Sequence, residues 1–346
     1  MSGIFDERRA NTGEILAKFA DKLKAHLGSD LDTVIGDHTT VYVTGSGGRG
    51  EMSDASDLDL FLVRRSGEPS KLHAAILQAA IIRATRDCGI EAPSADGVFL
   101  DMHSADHFAD MLGSQQDDAQ NKFTARMLLM LESRPVLGAG TYAAIVTHMI
   151  ECYWSTAGDH EKDYLPYAFV NDVVRYWRVV LLNHEARLRV KGEELIKDAG
   201  DEASRKQRMK TERYIRSVKL RFARALTCFA SLAYLLALSA RDGHITRQAM
   251  EEMVKLTPLE RLHGAVAIAD RESARGIVDR MDALYAEFLA ATAFPKTDLR
   301  KHFEDAKYAS ALAHKGSDFG DAMFELLTDL GTPDGKYVQL YRYMLV

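Results

Sequence analysis

Apolar positions along this chain recur with two different periods, and the change of period divides it. Ile15, Leu16, Phe19, Ala20, Leu23 and Leu27 repeat three and four residues apart, as on one face of a helix. "TTVYVTG" (39–45) is β-branched and stops at a glycine, which predicts a strand. A short helix is expected from about Ser46, and "DLDLFLV" (57–63) alternates as a second strand. Residues 70–89 return to helical spacing and close on Gly89, and "GVFLDM" (97–102) predicts a third strand. This order of helix, strand, turn, strand, helix and strand describes a small α/β unit.

Beyond about Asp117 the strand signals fade. "NKFTARMLLMLES" (121–133), "TYAAIVTHMIECYW" (141–154), "YAFVNDVVRYWRVVLLNHEARLRV" (167–190) and "RYIRSVKLRFARALTCFASLAYLLAL" (213–238) all read as helices. Gly138, Gly192 and Gly200 punctuate them, and Pro135, Pro166 and Pro258 sit at junctions. The expected organisation is a head over residues 1–115 and a larger helical domain over 116–346, the boundary falling between 115 and 140.

Composition narrows the class. The 346 residues are 47% apolar and 27% charged, as in a folded globular protein, and can bury a sizeable core. A formal charge of −6 gives no global signature of nucleic-acid binding, so any basic surface must be local. Cys88, Cys152 and Cys228 are odd in number and far apart, which suits a reduced cytosol. The opening "MSGIFDERRANTGE" carries no apolar signal region. The apolar window 225–240 is short for a membrane span and contains Thr, Ser and Tyr, so a buried helix is expected. These features together predict a cytoplasmic protein without a membrane partner.

The chemistry concentrates in "TGSGGRGEMSDASDLDLFLV" (44–63). On a strand, Asp57 and Asp59 share one face while Leu58, Leu60 and Leu62 share the other. Carboxylates about 7 Å apart along a strand repel unless a cation lies between them, and Mg²⁺ pairs one or two carboxylates with substrate phosphates. Gly45, Gly47, Gly48 and Gly50 allow close backbone approach, Ser46 offers a hydroxyl, and Arg49 offers a charged contact to phosphate.

This stretch resembles the signature of the DNA polymerase β-like nucleotidyltransferase superfamily, a Gly-Ser turn followed about ten residues on by Asp-x-Asp. "GRGE" and "SDLDL" are most similar to the uridylyltransferases that modify the PII nitrogen-signalling protein. The resemblance is specific over about 20 residues and extends in element order to about residue 110. It implies an α+β fold, a small mixed-sheet polymerase β-like head followed by the larger all-α domain. It implies two Mg²⁺ ions, with Mn²⁺ as a substitute, held by Asp57, Asp59 and a third carboxylate on a neighbouring strand. Asp101 in "VFLDMHS" is the candidate and Asp96 the reserve; a strand-end Asp capping the next helix is the alternative. It implies a nucleoside triphosphate held by Gly45, Ser46 and Arg49, and a hydroxyl acceptor on a protein or an RNA. The hydrolase and sensor domains of the PII-modifying enzymes are not implied, since this chain contains no His-Asp dipeptide.

Weaker signals lie in the helical part. Related enzymes reach triphosphate with a basic residue beside an aromatic, which makes Arg175 and Arg178 beside Trp177 candidates. Arg stems covering a core Trp are the competing reading. Residues 187–224 hold 13 Lys or Arg against 6 Asp or Glu, a local excess of seven positive charges. Such a run grips a polyanion or forms a solvated helix face, and Lys219 is its best candidate for phosphate. His103 and His107 have i, i+4 spacing but read as surface helix residues, and Asn121 and Arg126 are candidates to line the cleft. Three other functions fit the same motif: an oligonucleotide-signal synthase, an RNA-end extender, and a nucleotide-binding regulator without catalysis.

Overall fold

The computed structural model describes residues 3–90, 100–110, 112, 122–197 and 201–345, without side chains at 159, 161, 187–197 and 345. They form two compact units, one of Phe5–Glu161 with Thr246–Thr257 and one of Met1–Ile4, Lys162–Ile245 and Pro258–Val346. Residues 122–161 group with the sheet by their contacts.

The sheet unit begins with α1 (Gly3–Leu27) and a short α2 (Leu31–Val34), then β1 (Thr39–Thr44), α3 (Gly45–Arg49), β2 (Asp59–Arg64) and α4 (Lys71–Cys88). It continues through β3 (Met102–Ser104), α5 (Ala105–Asp110), α6 (Lys122–Leu131), β4 (Arg134–Leu137) and α7 (Ala139–Trp154), and includes α11 (Arg247–Lys255). α4 has the expected signals at both ends. The Ser70 side chain accepts the His73 N–H, and Gly89 turns left-handed at φ 72°.

The strands lie in the order β3-β2-β1-β4. β1 runs antiparallel to both neighbours, and β2 runs parallel to β3. The sheet is therefore mixed, as expected. Val41, Val43, Leu60, Leu62 and Met102 cover one face and join Phe19, Leu23, Leu77, Ile81 and Ala84 in a single core with α1 and α4. The other face is aromatic. Tyr42 stacks on Phe61 with ring centroids 5.4 Å apart, and the ring of Tyr142 from α7 meets Tyr42 edge-on at 6.0 Å.

Three strand expectations need correction. β2 starts at Asp59, so Asp57 stands in the lead-in segment rather than on the strand. β3 covers Met102–Ser104, so Asp101 precedes it rather than ending it; residues 97–99 of the strand expected over 97–102 lie outside the described residues. β4 was not expected at all. Its four residues include Pro135, which cannot donate to a ladder, and an edge position beside β1 tolerates that.

The helical unit contains α8 (Tyr167–Lys197), α9 (Glu202–Lys219), a π-helical turn (Leu220–Arg224) and α10 (Ala225–Asp242). After them come α12 (Pro258–Ala269), α13 (Glu272–Ala291), α14 (Lys296–Glu304), α15 (Ala306–Gly331) and α16 (Gln339–Leu345). Glu202–Asp242 runs as one 41-residue helix, long and apolar enough to cross a membrane, yet 83% of its apolar window is buried inside the protein. Leu232, Leu235 and Leu236 are fully buried on it, which is the burial expected for that window. Phe222 from the π turn stacks on Phe288 of α13 at 4.8 Å and meets Phe319 of α15 at 5.1 Å, knitting three helices together.

Candidate functional site

β1 delivers the chain into the glycine turn, and the backbone there leaves no room for side chains. Gly45 adopts φ +63°, and a Cβ on it would lie 2.7 Å from Asp59 Oδ2. A Cβ on Gly48 would lie 2.0 Å from the Glu132 carbonyl oxygen. At Gly48 the obstacle is backbone and excludes a side chain, whereas at Gly45 it is the left-handed φ that favours glycine, with the tip of the Asp59 side chain as neighbour. The turn and the Asp59 carboxylate are thus in direct apposition, although 14 positions separate them in the chain. Sheet register makes the same pairing, since Thr44 lies opposite Asp59 and its hydroxyl donates to the Asp59 carbonyl at 3.3 Å.

The segment between turn and strand is tied down by polar contacts. The Met52 N–H donates to Thr12 Oγ1 at 2.9 Å, and the Asn11 amide donates to the Met52 carbonyl at 3.1 Å. Ser53 N–H donates to Ser56 Oγ at 3.0 Å, closing a tight turn just before Asp57. Leu58 and Leu60 are buried in the core while Asp57 is exposed and Asp59 half-exposed. That alternation is the one the sequence predicts, and it keeps both carboxylates out of the apolar interior.

Arg49 is held between two carboxylates. Its Nε donates to Glu51 Oε2 and its Nη1 to Glu132 Oε2, both at 2.7 Å. Its side chain is 8% exposed and that of Glu132 is fully buried. A guanidinium and carboxylates removed from water are stable only when paired and hydrogen-bonded. The Arg-Gly-Glu motif is therefore a clamp that fastens the turn to the α6–β4 junction. Ser46 is half-buried on α3, its carbonyl accepting the Glu51 N–H at 2.8 Å. α3 has only five residues, so little helix dipole backs the turn.

Asp101 is exposed and stands one residue ahead of the Leu62–Met102 pair, level with Phe61. Asp59 lies two residues earlier on the adjacent strand, which separates the two Cα atoms by roughly 8 Å from strand spacing and rise. The two aspartates share the sheet face of Phe61 and His103, so the register brings them to one side. Asp96 lies outside the described residues. Among the described residues no group of three or more His, Cys, Asp or Glu is arranged to hold a metal ion.

His103 is not on a surface helix, as expected, but on β3, with its ring 6.1 Å from Phe61 and 5.9 Å from Phe108. Burial pushes its pKa below the ordinary 6.5, and the Asp101 carboxylate opposes that shift. Tyr42, wholly buried on the same face, has no hydrogen-bond partner for its hydroxyl among the described residues, and burial pushes its ionisation well above the ordinary 10.0. Arg126 is buried, its Nε donating to the Tyr153 hydroxyl at 3.1 Å and its Nη1 to the Phe108 carbonyl at 3.0 Å. That makes it a core brace. Asn121 lies outside the described residues.

The remaining candidates belong to the helical unit. Arg175 on α8 pairs with Asp172 at 3.7 Å, Arg178 is exposed on the same helix, and Lys219 closes α9. Trp177 is half-buried and meets Phe229 edge-on at 5.2 Å. In the basic run, Lys206 pairs with Glu202 at 2.6 Å one turn away, and Glu212 accepts from Arg300 Nε at 2.6 Å. Sequence reasoning missed Glu132, Asn11 and Thr12. The only local signal for the last two is a polar pair set into the apolar face of α1, and Glu132 gives none. No protein-family model matches this chain, and no curated protein matches it.

Proposed function

We propose that this chain is a Mg²⁺-dependent nucleotidyltransferase that moves a nucleoside monophosphate from a triphosphate to a hydroxyl acceptor and releases pyrophosphate. The observation that carries the reading is the apposition of the Gly45 turn and the Asp59 carboxylate, where a single Cβ would fill the gap. A glycine turn held against a carboxylate at a strand start suits a polyphosphate and a hard cation, because both need close backbone and bare oxygen donors. Asp57 and Asp59 fit a Mg²⁺ site that takes its other ligands from substrate phosphates. When bound, the ion would lower the charge repulsion around the α-phosphorus.

The chain's own groups would divide the work. Gly45 and Ser46 would line the triphosphate. The Arg49–Glu51–Glu132 clamp would hold the turn in register with β2 and supply orientation rather than a phosphate contact. Asp101, exposed beside the same sheet face, would accept the acceptor's proton. The acceptor oxygen then bonds to the α-phosphorus as the bond to the bridging oxygen of pyrophosphate breaks. Arg175, Arg178 and Lys219 remain proposed phosphate contacts, and the acceptor is proposed to be a protein or an RNA.

The test is incubation with each labelled NTP and Mg²⁺, with and without cell extract, for wild type and Asp59→Asn. Turnover should fall about a hundredfold or more in the variant, the scale of losing one transition-state charge partner, with an unchanged melting temperature. Retention of wild-type turnover by Asp59→Asn, or no NTP consumption by the wild type under any condition, rejects the proposal.

A further inference from the structure

The helical unit holds a cavity of about 500 Å³ bounded by α8, the π turn, α10 and α15. Its walls are mostly apolar, with Trp177, Phe229 and Phe324 as aromatic members beside Leu181, Leu220 and Met323. That volume lies in the range of small-molecule sites, and a mostly apolar wall with few polar groups is their usual chemistry. The cavity is an open groove rather than an interior void, since Phe324 is 66% exposed and Leu181 38%, and exposed apolar side chains gathered in one place mark binding sites.

Two further features belong to the groove. Gly320 lies in the interior of the 26-residue α15, where glycine costs about 0.5–1 kcal/mol relative to alanine. It is exposed on the groove wall, and a Cβ there would meet nothing within 4 Å, so a side chain placed at this position enters the groove without displacing a neighbour. The second feature is the π-helical turn Leu220–Arg224, an energetically poor backbone that recurs at functional sites, which contributes Leu220 and Arg221 to the wall.

The polar groups at the cavity set the ligand's head. Arg221 Nη1 donates to Ser317 Oγ at 2.6 Å and to the Ala313 carbonyl at 3.0 Å, which fixes the guanidinium and leaves its other N–H groups as donors. Asp321, one turn beyond Ser317, would repel an anion from its own side and direct it towards Arg221. We infer that this cavity binds a flat aromatic organic anion, its ring system among Trp177, Phe229 and Phe324 and its acidic head on Arg221. The site lies wholly within the helical unit, and its test involves no nucleotide, so it stands independently of the transferase reading.

The probes are 1-anilinonaphthalene-8-sulfonate and N-phenyl-1-naphthylamine, which share a ring body and differ in the sulfonate. The full-length protein should bind the sulfonate saturably at one site and more tightly than the neutral amine. Gly320→Leu should fill the cavity and raise the Kd about tenfold or more, without lowering the melting temperature. Should that variant fail to fold, Gly320→Ala should still raise the Kd about threefold. Arg221→Gln should remove the preference for the sulfonate and leave binding of the amine. An unchanged Kd in the Gly320 variants, or equal affinity of the wild type for both probes, overturns the inference. So does a concentration-dependent dimer that Gly320→Leu abolishes in a protein that binds neither probe, since the face is then an interface between copies.

Discussion

The glycine turn of α3 and the helix α15 both depart from ordinary helix composition, for opposite reasons. In the turn the backbone of the α6–β4 junction and the Asp59 carboxylate press so closely that a Cβ at Gly48 or Gly45 would collide with them. In α15 the Cβ position of Gly320 is surrounded by open space. The first glycines are dictated by packing within the fold. The second is not, for it faces open space on an exposed stretch of α15 that borders the groove. Glycine alone in a sequence does not distinguish these cases; the neighbours do.

The largest test of that contrast is Gly48→Ala, which forces a Cβ against the Glu132 carbonyl. Stability of the sheet unit should fall by about 3 kcal/mol, the range of an overpacked site, and urea unfolding would measure it. A loss under about 0.5 kcal/mol would show that the turn has slack, and the contrast would fail.

Next in size is the clamp. Glu132→Gln keeps the shape and removes a buried charge facing Arg49, and it should cost about 2 kcal/mol in the same assay. If the proposed transferase reading holds, it should also raise the KM for NTP, because the turn loses its anchor. Arg49→Lys should weaken both properties as well, since lysine lacks the fork that reaches both Glu51 and Glu132.

A smaller effect comes from His103. Its folded pKa lies below the ordinary 6.5 because of burial, so the unfolded chain takes up the proton first. Stability should therefore be flat above pH 6.5 and decline as pH falls through and below that value. His103→Phe should flatten the decline; an identical pH profile for the variant would remove His103 as its source.

The smallest expected change has the opposite sign. Gly320→Ala should raise stability by about 0.5–1 kcal/mol, since it adds helix propensity and meets no neighbour. A loss of stability would mean that Gly320 is needed for packing after all, and would bring α15 into line with the turn.

The sequence by itself determined the elements whose causes are local. β1, the turn and most of β2 follow from β-branched runs and glycines, α4 from Ser70 and Gly89 at its ends, and buried α10 from an unbroken apolar window. The alternation that keeps Asp57 and Asp59 outside and Leu58 and Leu60 inside also came from period two alone. What the tertiary structure decided depends on partners far along the chain. Nothing near Arg49 in the sequence announces Glu132, 83 residues away, whose carboxylate holds its guanidinium. β4 is too short and too marked by Pro135 to signal a strand, and it exists because the β1 edge offers it hydrogen bonds. That pairing in turn draws α6 and α7 into the sheet unit, well past the compositional boundary near residue 115. Periodicity and capping are properties of neighbouring residues, whereas a buried ion pair or an edge strand is a property of the contact, and only the folded chain makes the contact.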